Sequence, residues 1–226
     1  MNAEDDQWFR QRRLLGEGHE KLRNSRVLVV GCGGLGAGAI PALTAAGIGH
    51  LTLLDDDHVV TSNLNRQTLF TTEDVGRRKV ELATARMRAL SPDSEIEGRH
   101  YRLTADDVDL VAAHDLVVDC TDRQASRAAI SAACRAAGRP WVWAGIDGWT
   151  AVVSVFVPGG PQWEDVVGVR EELPAPPQIL GATPTLAGAW EAAEAVKVLT
   201  GLGEPLIGRL AVIDLLSGTV RFVDLV

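Results

Sequence analysis

Cysteine is scarce in this sequence, and long apolar runs do not occur. The 226 residues include three cysteines (Cys32, Cys120 and Cys134), which lie far apart and form no C-x-x-C pair. An odd and widely spaced set argues against a disulfide framework and against a zinc site built from cysteine pairs. No segment approaches the roughly 18 to 20 consecutive apolar residues of a membrane-spanning helix, and the N-terminal MNAEDDQWFRQRR has no apolar run behind it. A secretory signal needs such a run, so we expect a cytoplasmic protein with no membrane partner.

An excess of basic residues is also lacking. Lysine and arginine total 22 against 30 aspartates and glutamates, which gives a formal net charge of −8. Proteins that bind nucleic acids normally present a basic face, so we expect no nucleic-acid partner. Hydrophobic residues make up 46% and charged residues 23% of the chain, an ordinary globular balance with enough apolar material for a core.

Short β-branched runs alternate with helical patterns along most of the chain. RVLVVG, HLTLLDDD, SEIEGRHYRL, DLVVDCTD, PWVWAGI and AVVSVFV predict strands, and RLAVIDLLSG with TVRFVDLV predicts a closing hairpin. Helices are predicted between them, including one that begins near Thr72–Asp74 and runs to Ser91. This order predicts an α/β fold of Rossmann-like type. Its sheet is expected to be mostly parallel, with helices on both faces and antiparallel strands toward the C-terminal end.

A glycine-rich turn follows the first predicted strand. The segment Gly31-Cys32-Gly33-Gly34-Leu35-Gly36 fits G-x-G-x-x-G at the start of a helix. Glycines at such a turn let the backbone approach phosphates, and the free N–H groups of the helix end bind anions. Asp55 ends the second strand, where a carboxylate can hold ribose hydroxyls. The motif predicts a nucleotide site at Gly31, Gly33, Gly34, Gly36 and Asp55, and by itself does not separate a dinucleotide from ATP.

Cationic residues follow the second strand. The triplet Asp55-Asp56-Asp57 leads into a segment that contains Arg66, and Lys79 follows Gly76. A hydride-transferring enzyme does not need these cations beside its nucleotide. Nucleotidyl transfer does need them, because negative charge builds on the phosphates as the bond to the leaving group lengthens. The pattern favours ATP, with Asp57, Arg66 and Lys79 as further residues of its site.

Two aspartates end the strand DLVVDCTD. A carboxylate at this edge of the sheet can hold Mg²⁺, which bridges triphosphate oxygens with only one or two protein carboxylates. Asp119 can instead cap the helix that follows. Asp122 stands further into the turn, and it is our predicted magnesium ligand.

Taken together, these motifs resemble the ThiF/MoeB/HesA family. The resemblance rests on GCGGLG, LLDDDHVVTSNLNRQTLF, DVGRRKVE and VVDCTDR, and it extends from about Trp8 to the C-terminus. Members of this family resemble the adenylating half of ubiquitin-activating enzymes and act on ubiquitin-like sulfur carriers. The resemblance implies an adenylyltransferase that uses ATP and Mg²⁺ to convert a carboxylate, that of a carrier's C-terminal glycine, into an acyl-adenylate with release of pyrophosphate.

The resemblance also implies roles for particular residues. Asn63, Arg66 and Lys79 match the residues that contact the triphosphate, and Asp122 matches the magnesium-associated aspartate. Family members act as dimers in which an N-terminal arginine reaches the partner's ATP. Of the arginines in RQRRLL, Arg10 fits this role best.

The same comparison implies a single adenylation domain over residues 1–226. We expect a helical arm over residues 1–25, a nucleotide-binding core over 26–157, a proline-rich crossover loop over 158–184, and a C-terminal helix and hairpin over 185–226.

The sequence departs from the family at two kinds of cysteine. Typical bacterial members hold zinc with two C-x-x-C pairs, whereas Gln162 and Asp165 stand at the first pair and the second pair would follow Val226. We therefore expect no zinc site. The crossover loop also lacks the cysteine with which some relatives take the acyl group, so the three cysteines are predicted to be core residues rather than nucleophiles.

Tryptophan is concentrated in the second half of the chain. Trp149 and Trp163 each allow two interpretations, a core position or a place in the wall of a groove for a peptide or a small acid.

Three alternatives to the sulfur-carrier function stay open. The same chemistry can act on a ribosomal peptide or a small biosynthetic carboxylic acid. A non-catalytic subunit that dimerises with an active homologue is a second alternative, although it would not need Asp55, Arg66, Lys79 and Asp122 together. A nicotinamide-dependent oxidoreductase is the third, and the cations Arg66 and Lys79 disfavour it.

Overall fold

A computed structural model describes residues 6–168 and 178–225 of the chain. Within them the helices are α1 Phe9–Leu15, α2 Gly18–Asn24, α3 Gly34–Ala46, α4 Lys79–Leu90, α5 Val108–Ala112, α6 Gln124–Ala137, α7 Trp163–Val167 and α8 Ala182–Thr200. The strands are β1 Arg26–Val30, β2 His50–Leu54, β3 Glu95–Arg99, β4 Leu116–Asp119, β5 Trp141–Asp147, β6 Thr150–Phe156, β7 Arg209–Asp214 and β8 Thr219–Asp224.

All eight strands form one sheet in the order β3-β2-β1-β4-β5-β6-β7-β8. Strands β1 to β5 are parallel to one another, whereas the pairs β5–β6, β6–β7 and β7–β8 are antiparallel. The predicted α/β architecture with antiparallel strands at the C-terminal end is therefore confirmed. The order reverses between β1 and β4, and ligands of such sheets bind beside this switch point.

The core has two parts, one on each face of the sheet. Along β1, Val27 and Val29 pack on the face covered by α3 and α8, while Leu28 and Val30 pack on the face covered by α5, α6 and α7. Glycine permits the close contact of α3 with α8, since a Cβ at Gly38 would lie 2.3 Å from the Thr185 carbonyl oxygen. This contact fixes α3 and its N-terminus against the sheet.

The helix predicted to begin near Thr72–Asp74 starts later than predicted. Thr72–Asp74 forms a separate 3₁₀ turn, and α4 begins only at Lys79. The chain turns at Gly76, which has a positive φ of 89° that glycine adopts without strain. Because of this break, Lys79 becomes the first residue of a helix, and its backbone N–H donates to the Asp57 carbonyl at 3.1 Å.

The predicted crossover loop also contains helical structure. Helix α7 lies within it, and α8 begins at Ala182, so Pro184 stands in the first turn of α8, where its missing N–H costs little. Residues 169–177 of this predicted loop lie outside the described residues.

Helix α8 is 19 residues long and carries two fully buried glutamates. The Glu194 carboxylate accepts hydrogen bonds from the Trp190 indole and the Leu206 backbone N–H, both at 2.9 Å, and pairs with Lys197 at 2.6 Å. In the described part of the chain, neither α8 nor any other helix is long and apolar enough to cross a membrane.

Candidate functional site

A cavity of about 790 Å³ opens at the carboxyl ends of the central parallel strands. The strands β2, β1, β4 and β5 are neighbours, so the polar residues that follow each of them meet at one edge of the sheet. The wall includes eight of the residues predicted from the sequence, namely Gly31, Gly33, Gly34, Asp55, Asp57, Arg66, Lys79 and Asp122.

The glycine turn brings the backbone into the cavity. Gly31 has a positive φ of 103°, and a Cβ there would lie 2.6 Å from the Cys120 carbonyl oxygen. Glycine is therefore required where β1 passes β4. Helix α3 starts immediately afterwards, and no side chain caps its N-terminus. The first N–H groups of a helix have no partner within the helix, so this end can bind a phosphate.

Asp55 lies at the end of β2 beside the glycine turn. One carboxylate oxygen accepts the Cys32 N–H at 2.7 Å, and the other accepts the Asp57 N–H at 2.8 Å. Burial raises the pKa of Asp55, and these N–H donors act in the opposite direction. Two backbone bonds hold the carboxylate in place, and its remaining lone pairs can accept hydroxyl groups from a ribose.

Lys79 projects into the cavity from the start of α4. Its ammonium group lies 3.1 Å from an Asp57 carboxylate oxygen, and only 6% of its side chain is exposed. Burial would raise the pKa of Asp57, but the hydrogen bond and charge of Lys79 outweigh it and lower that pKa. Asp57 therefore orients the ammonium group and keeps a counter-charge beside it.

Arg66 also lines the cavity. One of its guanidinium nitrogens donates to the Ser62 carbonyl at 3.0 Å and to the Asn65 side chain at 2.9 Å. Beside it, Gln67 is buried and lines the cavity, and its Oε1 has no partner among the described residues. Gln67 was not predicted as a site residue, because a glutamine in a polar loop carries no distinguishing sequence signal.

Asp119, the last residue of β4, and Asp122, in the turn that follows, have different environments. Asp122 is exposed, lines the cavity, and forms no hydrogen bond or ion pair with the residues that the structure describes. Asp119 is fully buried and does not line the cavity. One Asp119 oxygen accepts the Thr121 N–H at 2.9 Å and the Thr121 hydroxyl at 2.6 Å. Asp122 thus offers free oxygens of the kind that Mg²⁺ prefers, whereas Asp119 stabilises the turn.

A buried cluster of ionisable side chains near this turn was not predicted from the sequence. Arg127, which also lines the cavity, donates to the Thr121 carbonyl at 3.0 Å and the Ala144 carbonyl at 3.3 Å. Two fully buried acids, Asp119 and Glu191, lie near its charge. Burial raises the pKa of Asp119 to about 6 and that of Glu191 well above its ordinary value. The available sequence signal for this cluster was Glu191, a glutamate among the small residues of a predicted helix.

Three predicted site residues do not line the cavity. A Cβ at Gly36 would lie 2.5 Å from the Gly31 carbonyl oxygen, so this glycine serves close helix–strand packing. The buried Asn63 side chain accepts the Val60 N–H at 3.2 Å and stabilises its own turn. Arg10 is exposed on α1. The expectation that Asn63 contacts the triphosphate therefore has no direct support from its position.

Comparison with known proteins identifies the family. The model described as the ThiF family matches residues 9–225, which is nearly the whole chain. This chain belongs to the ThiF family. A ThiF relative, the sulfur carrier protein adenylyltransferase of Thermus thermophilus, is 37% identical over 217 residues, which cover 91% of this chain and 80% of that protein.

Two further comparisons agree. The sulfur carrier protein ThiS adenylyltransferase of Escherichia coli is 37% identical over 225 residues, which cover 95% of this chain and 89% of the relative. Some relatives are longer, and the chain spans 56% of one of them. A crystal structure of E. coli MccB with MccA-N7isoASN has a TM-score of 0.87 and 23% identity, over 99% of this chain and 72% of that one. At this identity the likeness shows the fold alone.

Some of the departures from typical ThiF members lie on described residues. All three cysteines are buried, as predicted, and burial raises the pKa of each thiol. Gln162 and Asp165 lie at the start of α7, and no cluster of three or more His, Cys, Asp or Glu side chains within 6–168 and 178–225 is arranged to hold a metal ion. The absence of zinc stays a prediction.

The structure decides between the two interpretations of Trp163 in this ThiF protein. Trp163 is 1% exposed and packs edge-on against Trp143, with ring centroids 6.3 Å apart. The groove interpretation is therefore wrong for Trp163, which belongs to the core. Trp149 is 45% exposed and does not belong to the cavity wall.

Proposed function

We propose that this ThiF-family adenylyltransferase activates the C-terminal glycine carboxylate of a ubiquitin-like sulfur-carrier protein. The product is an acyl-adenylate, and pyrophosphate is released. One observation carries the proposal: Arg66, Lys79 and Asp122 face the same cavity as the glycine turn and Asp55. Two relatives at 37% identity are named sulfur-carrier adenylyltransferases, which supports the choice of substrate.

The nucleotide is proposed to lie along the ends of β1, β2 and β4. The uncapped N-terminus of α3 would receive phosphate oxygens. Asp55, held by the Cys32 and Asp57 N–H groups, would accept hydroxyl groups of the ribose. In this pose the triphosphate extends toward Arg66 and Lys79, because both cations line the cavity.

Charge repulsion is the main obstacle to the reaction. A carboxylate oxygen of the substrate attacks the α-phosphorus, and the bond from that phosphorus to the bridging oxygen of the β-phosphate breaks. Two anions must approach, so fixed cations that need no rearrangement lower the barrier. Asp57 holds the Lys79 ammonium group in place at 3.1 Å. Asp122 would hold Mg²⁺, which would offset part of the negative charge of the phosphates.

We further propose a homodimer with one adenylation domain per chain over residues 1–226. Arg10 is exposed on α1 and does not line its own cavity. A role in catalysis would require it to reach a neighbouring subunit. Acyl transfer to an enzyme thiol is not part of the proposal, because Cys32, Cys120 and Cys134 are buried. The acyl-adenylate would pass to another protein or to a small nucleophile.

An ATP–pyrophosphate exchange assay tests this proposal. The protein, ATP, Mg²⁺ and a sulfur carrier ending in Gly-Gly are expected to exchange labelled pyrophosphate into ATP. The same carrier without its terminal glycines is the matched control and should give no exchange. Calorimetric titrations should show tighter binding of ATP with Mg²⁺ than of NAD. Tighter binding of NAD would refute the adenylation chemistry, and equal exchange with the truncated carrier would refute the assignment of the substrate carboxylate.

A further inference from the structure

The cavity continues past the nucleotide site into an apolar recess. Five residues define this recess: Trp143 on β5, Val152 on β6, Leu210 on β7, and Val166 and Val167 on α7. All of them belong to or pack against the core on the α6 and α7 face of the sheet. Trp143 is buried, whereas the other four are half-buried and so keep apolar surface toward the cavity.

The backbone register explains why the recess is open. Gly145 lies directly opposite Val152 in the β5–β6 pair. A Cβ at Gly145 would lie 2.9 Å from the Val152 side chain and 3.0 Å from the Trp143 ring. Glycine therefore forms the floor, and the two larger side chains form the walls. Any other residue at position 145 would push into the space between them.

The walls of the recess are held in place by aromatic packing. The Trp143 ring lies 6.3 Å from both Phe156 and Trp163, measured between ring centroids. The Arg127 guanidinium group lies 5.6 Å from the centroid of the Trp143 ring. Trp143 is thus fixed by three neighbours, and the recess is preformed rather than created by the ligand.

The position of the recess relates it to the acyl substrate. Asp55, Lys79 and the glycine turn occupy the end of the cavity at β1 and β2, which the proposed function gives to the nucleotide. The recess lies at the other end, at β5, β6 and β7. An acyl group that attacks the α-phosphate must approach from the side that the nucleotide leaves free. The residues just before the reacting carboxylate therefore pass the recess.

We infer that the recess binds a bulky apolar side chain close to the C-terminus of the substrate. This inference rests on the proposed function and adds to it a class of substrate: a polypeptide tail with leucine, valine or phenylalanine directly before its terminal Gly-Gly. A tail of glycines alone would leave the apolar walls without a partner. Filling an apolar pocket typically changes specificity about 10- to 200-fold.

Peptides that differ at one position test the inference. Short synthetic peptides with a constant terminal Gly-Gly carry either glycine or leucine at the third or the fourth position from the C-terminus. The ATP–pyrophosphate exchange assay gives kcat/KM for each peptide. Leucine in one of these positions should raise kcat/KM at least about tenfold over the all-glycine tail.

Variants of the recess provide the second arm. Val152→Phe should fill the recess and lower kcat/KM for the leucine peptide to about the value for the all-glycine peptide, so that the preference for leucine is lost. Val220→Phe is the matched control, because Val220 is 48% exposed on β8 and does not line the cavity. This control should keep the preference for leucine.

The outcomes separate the inference from the proposed function. Exchange that is equal for all peptides, or highest for the all-glycine tail, would overturn the inference and leave the adenylation of a carboxyl terminus intact. A leucine preference that survives in Val152→Phe would also overturn it, because the side chain would then bind elsewhere. No exchange with any peptide or carrier would refute the proposed function and the inference together.

Discussion

Replacing Asp119 by asparagine should remove a penalty on stability at neutral pH. Asp119 is fully buried, and only one of its two carboxylate oxygens is hydrogen-bonded, to the Thr121 N–H and hydroxyl. The second oxygen has no partner among the described residues. Asparagine has nearly the same shape, and its amide oxygen can keep both bonds from Thr121. The substitution therefore changes mainly the charge.

The size of the effect follows from the pKa of Asp119. Burial raises this pKa from 3.8 to about 6, against the opposing influence of Arg127 and Thr121. The folded state therefore binds more protons than the unfolded state between these pH values, and this group's contribution to stability falls as the pH rises. Each unit of difference between the folded and unfolded pKa corresponds to about 1.4 kcal/mol of folding free energy. Ionisation of Asp119 therefore lowers the free energy of unfolding by about 3 kcal/mol in total, and about 2 kcal/mol of this loss occurs between pH 4.5 and pH 7.5.

Urea denaturation at these two pH values measures the effect. The stability of Asp119→Asn relative to wild type should rise by about 2 kcal/mol from the lower to the higher pH. A constant offset from the buried amide N–H of asparagine cancels in this comparison. Asp106→Asn is the matched control, because Asp106 is exposed, and its relative stability should not change with pH. If the relative stability of Asp119→Asn changes by less than about 0.5 kcal/mol between the two pH values, the claim that burial raises the pKa of Asp119 to about 6 is wrong.

Three other predictions concern catalysis and metal content. Asp122→Ala should lower the rate of pyrophosphate exchange about 10²- to 10³-fold, while circular dichroism shows an intact fold. The control Asp106→Ala should leave the rate unchanged. Substantial activity in Asp122→Ala would contradict the magnesium assignment. Replacement of Cys32, Cys120 and Cys134 together by alanine should preserve exchange and lower the melting temperature, because all three are buried; loss of exchange in a folded variant would restore a thiol to the mechanism. Elemental analysis of the purified protein should find no stoichiometric zinc, and one zinc ion per chain would disprove that prediction.

Local patterns were sufficient for the elements and for much of the site. Strands appear as β-branched runs, and a turn with a positive φ such as that at Gly31 requires glycine, so both can be identified without knowledge of distant residues. Asp55 and Asp122 each stand at the end of a predicted strand. Because neighbouring parallel strands end at one edge of the sheet, their arrival in one cavity could be expected from their place in the order of elements.

Other features depended on contacts between residues far apart in the sequence. Lys79 looked like the interior of a helix, and only the turn at Gly76 and the bond to Asp57 make it a helix start in the cavity wall. Trp163 allowed two interpretations until its packing against Trp143 was known.

The sequence by itself determined the order of strands and helices, the glycine turn and the family of this protein, because each of these depends on the types and spacing of neighbouring residues. Only the tertiary structure decided which polar residues are buried and which face the cavity. Asp119 and Asp122 are three positions apart and chemically identical, yet one is fully buried and the other is exposed. The recess beside Trp143 likewise exists only where three strands and α7 meet. Burial depends on what packs against a residue from elsewhere in the chain, and a local pattern carries no record of it.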